Sequence, residues 1–466
     1  MRAAAAPRRR SQLRDSARRL VPLAWPVFVG QVSVLGFGTI DTLLVARSTT
    51  ADLAALAVGA AAFISVFIGS MGVLLGLSPI VGQFYGARDF EAAGHQARQA
   101  LFVALVLAIL GSTMLAFPGP FLTLARASPE VAVKVRGYLG ALALSLPASL
   151  LFTVYRSFNT AVSRPKAVML LQMGGLALKV PLSTALVFGV PALGLPALGV
   201  AGCGIATCLA MWTQVAVAAA VIRRDPFYAP FRLTGRGPLR PDWAALWQHL
   251  KLGVPTGASV LVEVTGFSFM AIFIARLGAT PVAGHQLVTN LVSLMFMMPL
   301  AMANATGTLV AQNLGAGRLD DARRIGWHGL AIGCGVAGVV GSAVLLGRVT
   351  ILGLYTRDQA VISAALPLVA WLAVFHVADA GQTISASVLR AYKIATVPLV
   401  IYVASMWGVG LGGGYLLAFD TSGVVPAALH GAVGYWTAST VAITLAAGAL
   451  CAVMGWALRG PRPPRA

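Results

Sequence analysis

Three carboxylates stand in stretches of this sequence where a carboxylate is costly. Glu263 is the single charge in LGVPTGASVLVEVTGFSFMAIFIA (252–275), a run long enough to cross a bilayer. Asp41 and Asp379 sit in two further apolar runs, GFGTIDTLLVA (36–46) and FHVADAGQTIS (375–385). A charge at the centre of a hydrocarbon layer costs roughly 2.5–3.5 kcal/mol on insertion scales, so such groups face a cavity and meet an ion, a proton or a partner. The remaining acidic residues fall in tails, loops or helix ends.

The neighbours of these acids are polar at helical spacing. His376, Gln382 and Thr383 lie at i−3, i+3 and i+4 from Asp379 and share its helix face. Ser259 and Thr256 continue a milder stripe from Glu263 toward Pro255, whose missing N–H can free a backbone carbonyl. Hard oxygen ligands of this kind suit Na⁺ or a proton and not a transition metal. Lys179, in LALKVPLSTAL (176–186), is the one basic residue deep in an apolar run; it either pairs with an acid such as Asp41 or acts directly in transport.

The elements that must position these groups are membrane helices. Of 466 residues 58% are apolar and 10% charged, and the mean hydropathy is +0.83, which excludes a soluble globular domain. Apolar runs of spanning length number twelve: 20–46, 53–83, 96–117, 131–156, 167–190, 198–222, 250–275, 281–312, 326–346, 359–389, 396–418 and 424–458. Basic residues crowd into one alternate set of loops and both tails. The other set holds Arg47, Arg126, Lys134, Arg136, Arg276, Arg348 and Arg357. By the positive-inside rule both termini are cytoplasmic, and the excess of 34 Lys and Arg over 14 Asp and Glu is topology, not a nucleic-acid surface. RRRSQLRDSARRL (8–20) reads as a retained anchor, since no small-residue cleavage site follows it. Cys203, Cys208, Cys334 and Cys451 lie in apolar spans without metal-type spacing and read as packing residues.

The second half repeats the first. At a fixed offset Pro26 meets Pro255, Ala46-Arg47 meets Ala275-Arg276 and Phe67 meets Phe296. IVGQFYGARDFEAA (80–93) matches LVAQNLGAGRLDDA (309–322), and GVAGCGIAT (199–207) matches GAVGYWTAS (431–439) more weakly. The expected architecture is an all-α membrane protein, its twelve transmembrane helices in two six-helix repeats related by a pseudo-two-fold along the membrane normal. The charges do not follow the repeat, since Glu263 faces Val34 and Asp41 faces Met270.

Enzyme motifs are missing. GCGVAG (333–338) satisfies G-x-G-x-x-G but lies inside an apolar helix with no preceding strand, and close helix packing explains it. No H-E-x-x-H, G-x-S-x-G or Walker A stretch occurs, so neither hydrolysis nor ATP drive is supported and no cofactor is expected.

Taken together, GFGTIDTLLVA, PIVGQFYGA (79–87), GVPTGASVLVEV (253–264), AGHQLVTNLVSLMFMMPLAMANATGTLVAQNLGAG (283–317) and VADAGQTISASVLRAYK (377–393) resemble the multidrug and toxic compound extrusion (MATE) transporters, specifically the NorM-like branch, from about residue 20 to 455. The resemblance implies two six-helix lobes, 20–222 and 250–458, joined by a cytoplasmic linker at 223–249 and flanked by cytoplasmic tails at 1–19 and 459–466. It implies a secondary active efflux transporter in a bacterial inner membrane, working as a monomer in lipid and exchanging drugs, mostly organic cations, for Na⁺ or H⁺. By motif, Asp41 resembles the family's N-lobe carboxylate, Glu263 and Asp379 its C-lobe cation-binding pair, which would hold Na⁺ if sodium drives transport, and Gln286 a position near the substrate cavity. With Lys179, His376, Gln382 and Thr383, Phe375 completes the cavity candidates. Phe375 stands where relatives often have a tyrosine, and Lys179 where many have an asparagine. The alternative is a lipid-linked precursor flippase of the same broad superfamily; a channel would need repeated filter residues.

Overall fold

The computed structural model describes residues 9–233, 240–420, 423 and 425–459. Among them the only extended pairing is an isolated bridge between Val190 and Leu195; the rest is helices and their connections. Among the described residues twelve helices are long and apolar enough to cross a membrane: α1 (Gln12–Val45), α2 (Thr50–Gly86), α3 (Phe90–Ala116), α4 (Pro129–Ala161), α5 (Pro165–Phe188), α6 (Val200–Arg224), α7 (Trp243–Ala275), α8 (Ala279–Gly315), α9 (Leu319–Leu346), α10 (Gln359–Ala391), α11 (Thr396–Ala418) and α12 (Ala432–Ala457). Large apolar side chains such as Leu105, Ile109 and Leu110 on α3 are left exposed, as a lipid-facing surface requires.

The expected spans are all present, with different ends. Helix continues back to Arg9, through the second half of the stretch expected as a basic tail; residues 1–8 of that tail, and 460–466 of the C-terminal one, lie outside the described residues. Helix α7 begins at Trp243 and not at 250, because Asp242 accepts hydrogen bonds from the N–H groups of Ala244 (3.0 Å) and Ala245 (3.3 Å) and starts the helix before its apolar run does. Helix α12 begins at Ala432 and not at 424, a position outside the described residues. A 3₁₀ turn at Ala427–Leu429 and Gly431, with φ +68°, precede it. Two short helices the sequence reading did not separate, Gly119–Leu124 and Arg348–Tyr355, start at repeat-equivalent positions.

The chain divides into two compact units that are not its two sequence halves. One is Met1–Phe28 with Ala258–Ala466, the other Val29–Gly257. Relative to the lobes expected at 20–222 and 250–458, the first part of α1 groups with the C-terminal unit, and the first part of α7 with the N-terminal unit. Both breaks stand at the same repeat position, just after Pro26 and Pro255, prolines that each delete a backbone hydrogen bond within their helix.

Side chains fix both exchanges. Leu20 and Ala24 of α1 are buried in the C-terminal core, and Ser16 Oγ lies 2.7 Å from His328 Nδ1. In the N-terminal unit Gly253 and Gly257 of α7 lie against Gly72 and Gly76 of α2. A Cβ on Gly72 would stand 2.5 Å from Gly257 Cα, so only glycine lets the backbones touch.

The linker is part of the N-terminal unit. Its 3₁₀ turn Pro226–Phe231 buries Tyr228 and Phe231. Phe231 meets Phe158 edge-on at 5.1 Å between ring centroids, and Arg164 caps the turn through Asp225 and the Phe227 ring. At the opposite end of α2, Asp52 accepts from Ser48, Thr49, the Lys134 ammonium (2.9 Å) and the Val200 N–H (3.2 Å), which ties α2, α4 and α6.

Candidate functional site

In the C-terminal unit α7, α10 and α11 bring an acidic pair together. Gln382 lies one turn beyond Asp379 on α10, and its Nε2 donates to Asp379 Oδ1 at 2.9 Å. The same nitrogen is 3.5 Å from Glu263 Oε1 on α7 and 3.0 Å from Thr383 Oγ1. One amide thus spans two carboxylates, short to the aspartate and long to the glutamate. Its oxygen accepts a hydrogen bond from the Tyr402 hydroxyl of α11, which orients it. Asp379 is 2% exposed and Gln382 1%; Glu263 is only partly buried. The guanidinium of Arg390, near the end of α10, lies within electrostatic range of Glu263 and Tyr402.

Glu263 borders a cavity walled by Phe267, Met270, Phe375, Met406 and Ser439. Phe375 is buried, edge-on to Phe267 at 5.8 Å and to Trp436 at 6.0 Å, so it offers a ring and no oxygen. Trp436 Nε1 donates to His285 Nδ1 at 3.2 Å and anchors that wall from behind. Helix α11 is wound as a π-helix from Val403 to Gly413, which carries Met406 and Gly410 to the cavity. From the same segment Trp407 Nε1 donates to the Val262 carbonyl beside Glu263, at 3.2 Å.

In the N-terminal unit the Lys179 ammonium of α5 donates to Asp41 Oδ2 of α1 and to Thr207 Oγ1 of α6, both at 2.7 Å. The Thr207 hydroxyl in turn donates a hydrogen bond to the Cys203 carbonyl at 2.9 Å. The Phe37 ring lies 4.8 Å from the ammonium. Lys179 is 1% and Asp41 4% exposed, so this is a buried ion pair.

The structure therefore joins Glu263, Asp379, Gln382 and Thr383 in one cluster, with Phe375 in the adjoining wall, and Asp41 with Lys179 in another. His376 is buried, yet its Nε2 has no hydrogen-bond partner and it joins neither cluster. Gln286 is exposed and outside both, while the next residue, His285, is the buried one. The polar stripe from Glu263 toward Pro255 is weaker than its spacing implies, because Thr256 Oγ1 is spent on its own helix at Leu252 O, 2.8 Å away. Tyr402, Thr207, Trp436 and Arg390 were not singled out by sequence. For Thr207 the signal was present, since the sixth-helix match pairs it with Ser439. Among the described residues no group of three or more His, Cys, Asp or Glu side chains could hold a metal ion.

The MatE family model matches residues 26–185 and 255–416, once per repeat and starting at Pro26 and Pro255. The chain is 40% identical over 451 residues to a probable multidrug resistance protein NorM of Aromatoleum aromaticum, covering 95% of this chain and 94% of that one. It is 34% identical over 444 residues to the multidrug resistance protein PmpM of Pseudomonas aeruginosa, covering 94% and 91%. Among solved structures, the eukaryotic MATE transporter AtDTX14 superposes with a TM-score of 0.84 at 20% identity, covering 96% of this chain and 98% of that one. An outward-facing multidrug resistance MATE family transporter of the MOP superfamily gives 0.83 at 19%, covering 97% and 98%. With twelve apolar helices, two matched copies of the family model and relatives alike over nearly their whole length, the chain is a multi-pass membrane transporter of the MatE family, in the NorM-like branch of the multidrug and toxic compound extrusion transporters.

Proposed function

We propose that this protein exports drugs and other organic compounds from the cell by exchanging them for a monovalent cation, Na⁺ or H⁺, bound at Glu263 and Asp379. The observation that carries this reading is the Gln382 amide between two carboxylates, 2.9 Å from one and 3.5 Å from the other. Two acids so close in a membrane interior repel each other, and a cation relieves that repulsion. The longer contact leaves Glu263, the partly exposed member at the cavity edge, as the group the cation reaches first.

One cation entering from outside takes the pair from two negative charges to one, which the nearby Arg390 guanidinium offsets. That state tolerates passage to the inward-facing form, and release to the cytoplasm restores the second negative charge. Entry of one charge supplies roughly 2.3 kcal/mol per 100 mV of membrane potential before any concentration gradient is added. The oxygens of Glu263, Asp379 and Thr383 suit Na⁺ as well as a proton. The aromatic and thioether wall beside Glu263 suits an organic substrate. The protein works in a bacterial cytoplasmic membrane, as a monomer with both termini on the cytoplasmic side, a placement supported by the distribution of Lys and Arg among the loops.

The test is flux in vesicles reconstituted with the purified protein. Efflux of an organic cation should require an imposed Na⁺ or pH gradient of the correct sign and be lost in the Glu263→Gln/Asp379→Asn double variant. Efflux indifferent to both gradients overturns the exchange mechanism.

A further inference from the structure

The two units treat one repeat position in opposite ways. The offset that pairs Pro26 with Pro255 pairs Asp41 with Met270, and the sixth-helix match pairs Thr207 with Ser439. In the C-terminal unit Met270 and Ser439 line the open cavity beside Glu263. In the N-terminal unit Asp41 and Thr207 both receive the Lys179 ammonium at 2.7 Å. Where one unit leaves space next to a carboxylate, the other fills that space with a buried lysine.

We infer that Lys179 is a tethered cation that holds, at Asp41, the place a mobile Na⁺ or proton would otherwise take. The N-terminal unit then exchanges no coupling ion during turnover, and its acid serves architecture only. A covalently held ammonium fixed 2.7 Å from Asp41 meets it without the bimolecular encounter a free ion must make. A second cation at Asp41 would stand beside the first in a poorly solvated site, and a proton there would leave Lys179 buried without a counter-charge. The other titratable groups near the pair are Tyr138 of α4 and Cys203 of α6, and neither is a cation. Asp52, farther along, is already held by Lys134. The net charge of the cluster is therefore zero before any ion arrives.

The part of this inference that assigns all ion exchange to Glu263 and Asp379 rests on the proposed coupling; the blocked site at Asp41 does not. The experiment counts cations bound to the purified full-length protein, by radiolabelled Na⁺ and by proton uptake in Na⁺-free buffer. Removing the pair whole, with Asp41→Asn/Lys179→Met, should leave the wild-type count unchanged. Lys179→Met alone should gain an additional equivalent of Na⁺ or H⁺, which Asp41→Asn then removes. A double variant that binds fewer cations than wild type, or a folded Lys179→Met that gains none, overturns the inference. Should Lys179→Met fail to fold, the double variant decides alone, since it leaves no buried charge unpaired. Measured in the Glu263→Gln/Asp379→Asn background, residual binding that vanishes with Asp41→Asn also overturns it. Residual binding indifferent to Asp41 sinks the coupling reading and leaves the blocked site supported.

Discussion

Gln382 Nε2 donates to Asp379 Oδ1 at 2.9 Å, from one turn farther along the same helix. Both side chains are almost wholly buried, so one aspartate oxygen is held in place before the cation of the proposed exchange arrives. Asp379→Asn keeps the shape and loses the charge. The variant is expected to reach the membrane at the wild-type level and to bind the coupling cation about 10- to 100-fold more weakly, the worth of a charged hydrogen-bonded ligand at roughly 1.5–3 kcal/mol. Drug accumulation in expressing cells checks it; undiminished export at equal expression removes Asp379 from the mechanism.

Tyr402 acts one step behind. Its hydroxyl donates to the Gln382 oxygen and so turns the amide nitrogen toward the acids. Tyr402→Phe frees that amide without opening a cavity. The half-saturating cation concentration is expected to rise about tenfold, from loss of one hydrogen bond worth about 1 kcal/mol and of the orientation it imposes. Maximal flux should fall less than in Asp379→Asn. A variant with an unaltered ion dependence would show that packing, not the hydroxyl, holds Gln382.

The carboxylates were legible in sequence because each stands alone in an apolar run, and the architecture because spanning length and a repeat that runs without a gap through the first two helices of each half are strong local signals. What sequence hid are relations across helices. Gln382 and Thr383 follow from spacing on one helix, but Tyr402 on α11 is a lone hydroxyl whose value appears only when α10 lies beside it. Glu263 and Phe375 belong to one site because α7 and α10 meet, and that meeting has no periodicity to read. The exchange of the ends of α1 and α7 between units was also hidden: Pro26 and Pro255 mark where it happens, while the touching glycines at 72 and 257 are interpretable only as a pair. His376 shows the converse, a residue on the right face by spacing whose buried Nε2 has no hydrogen-bond partner.

The Lys179–Asp41 pair makes a stability prediction separate from transport. Breaking a buried pair from one side costs about 3–5 kcal/mol, because the other charge stays behind, whereas replacing both partners by uncharged groups is often near neutral. Lys179→Met and Asp41→Asn should each lower the thermal unfolding temperature in detergent, and the double variant should lie above the sum of the two losses. Strict additivity would mean that the 2.7 Å contact carries no coupling.

Outside the membrane-spanning helices, Asp225 sets a pH dependence. The Phe227 N–H at 2.9 Å, and then the Arg164 guanidinium, hold its carboxyl below the ordinary value of 3.8. A carboxyl depressed in the folded state contributes stability above its unfolded value, and that contribution is lost as pH falls through the folded one. Asp225→Asn should therefore unfold more readily than wild type near about pH 6, with the gap closing toward about pH 3. Thermal unfolding across that window measures it, and a gap that persists at the acidic end contradicts the assignment.

Glu263 is the acid expected to move between states. Its contact with Gln382 is the longer one, 3.5 Å, it is partly exposed, and it borders the cavity. At the equivalent position of the first repeat there is only Val34, so no second acid can substitute for it. Glu263→Gln retains the hydrogen-bonding shape but can neither release a proton nor balance Na⁺. Substrate should still bind within about threefold of wild type, since an uncharged side chain of equal size preserves the aromatic wall, while the cation loses its power to displace it. Substrate affinity measured with and without Na⁺, at two pH values, separates the alternatives. If ion-induced weakening persists in Glu263→Gln, the coupling charge is that of Asp379, and Glu263 only shapes the cavity.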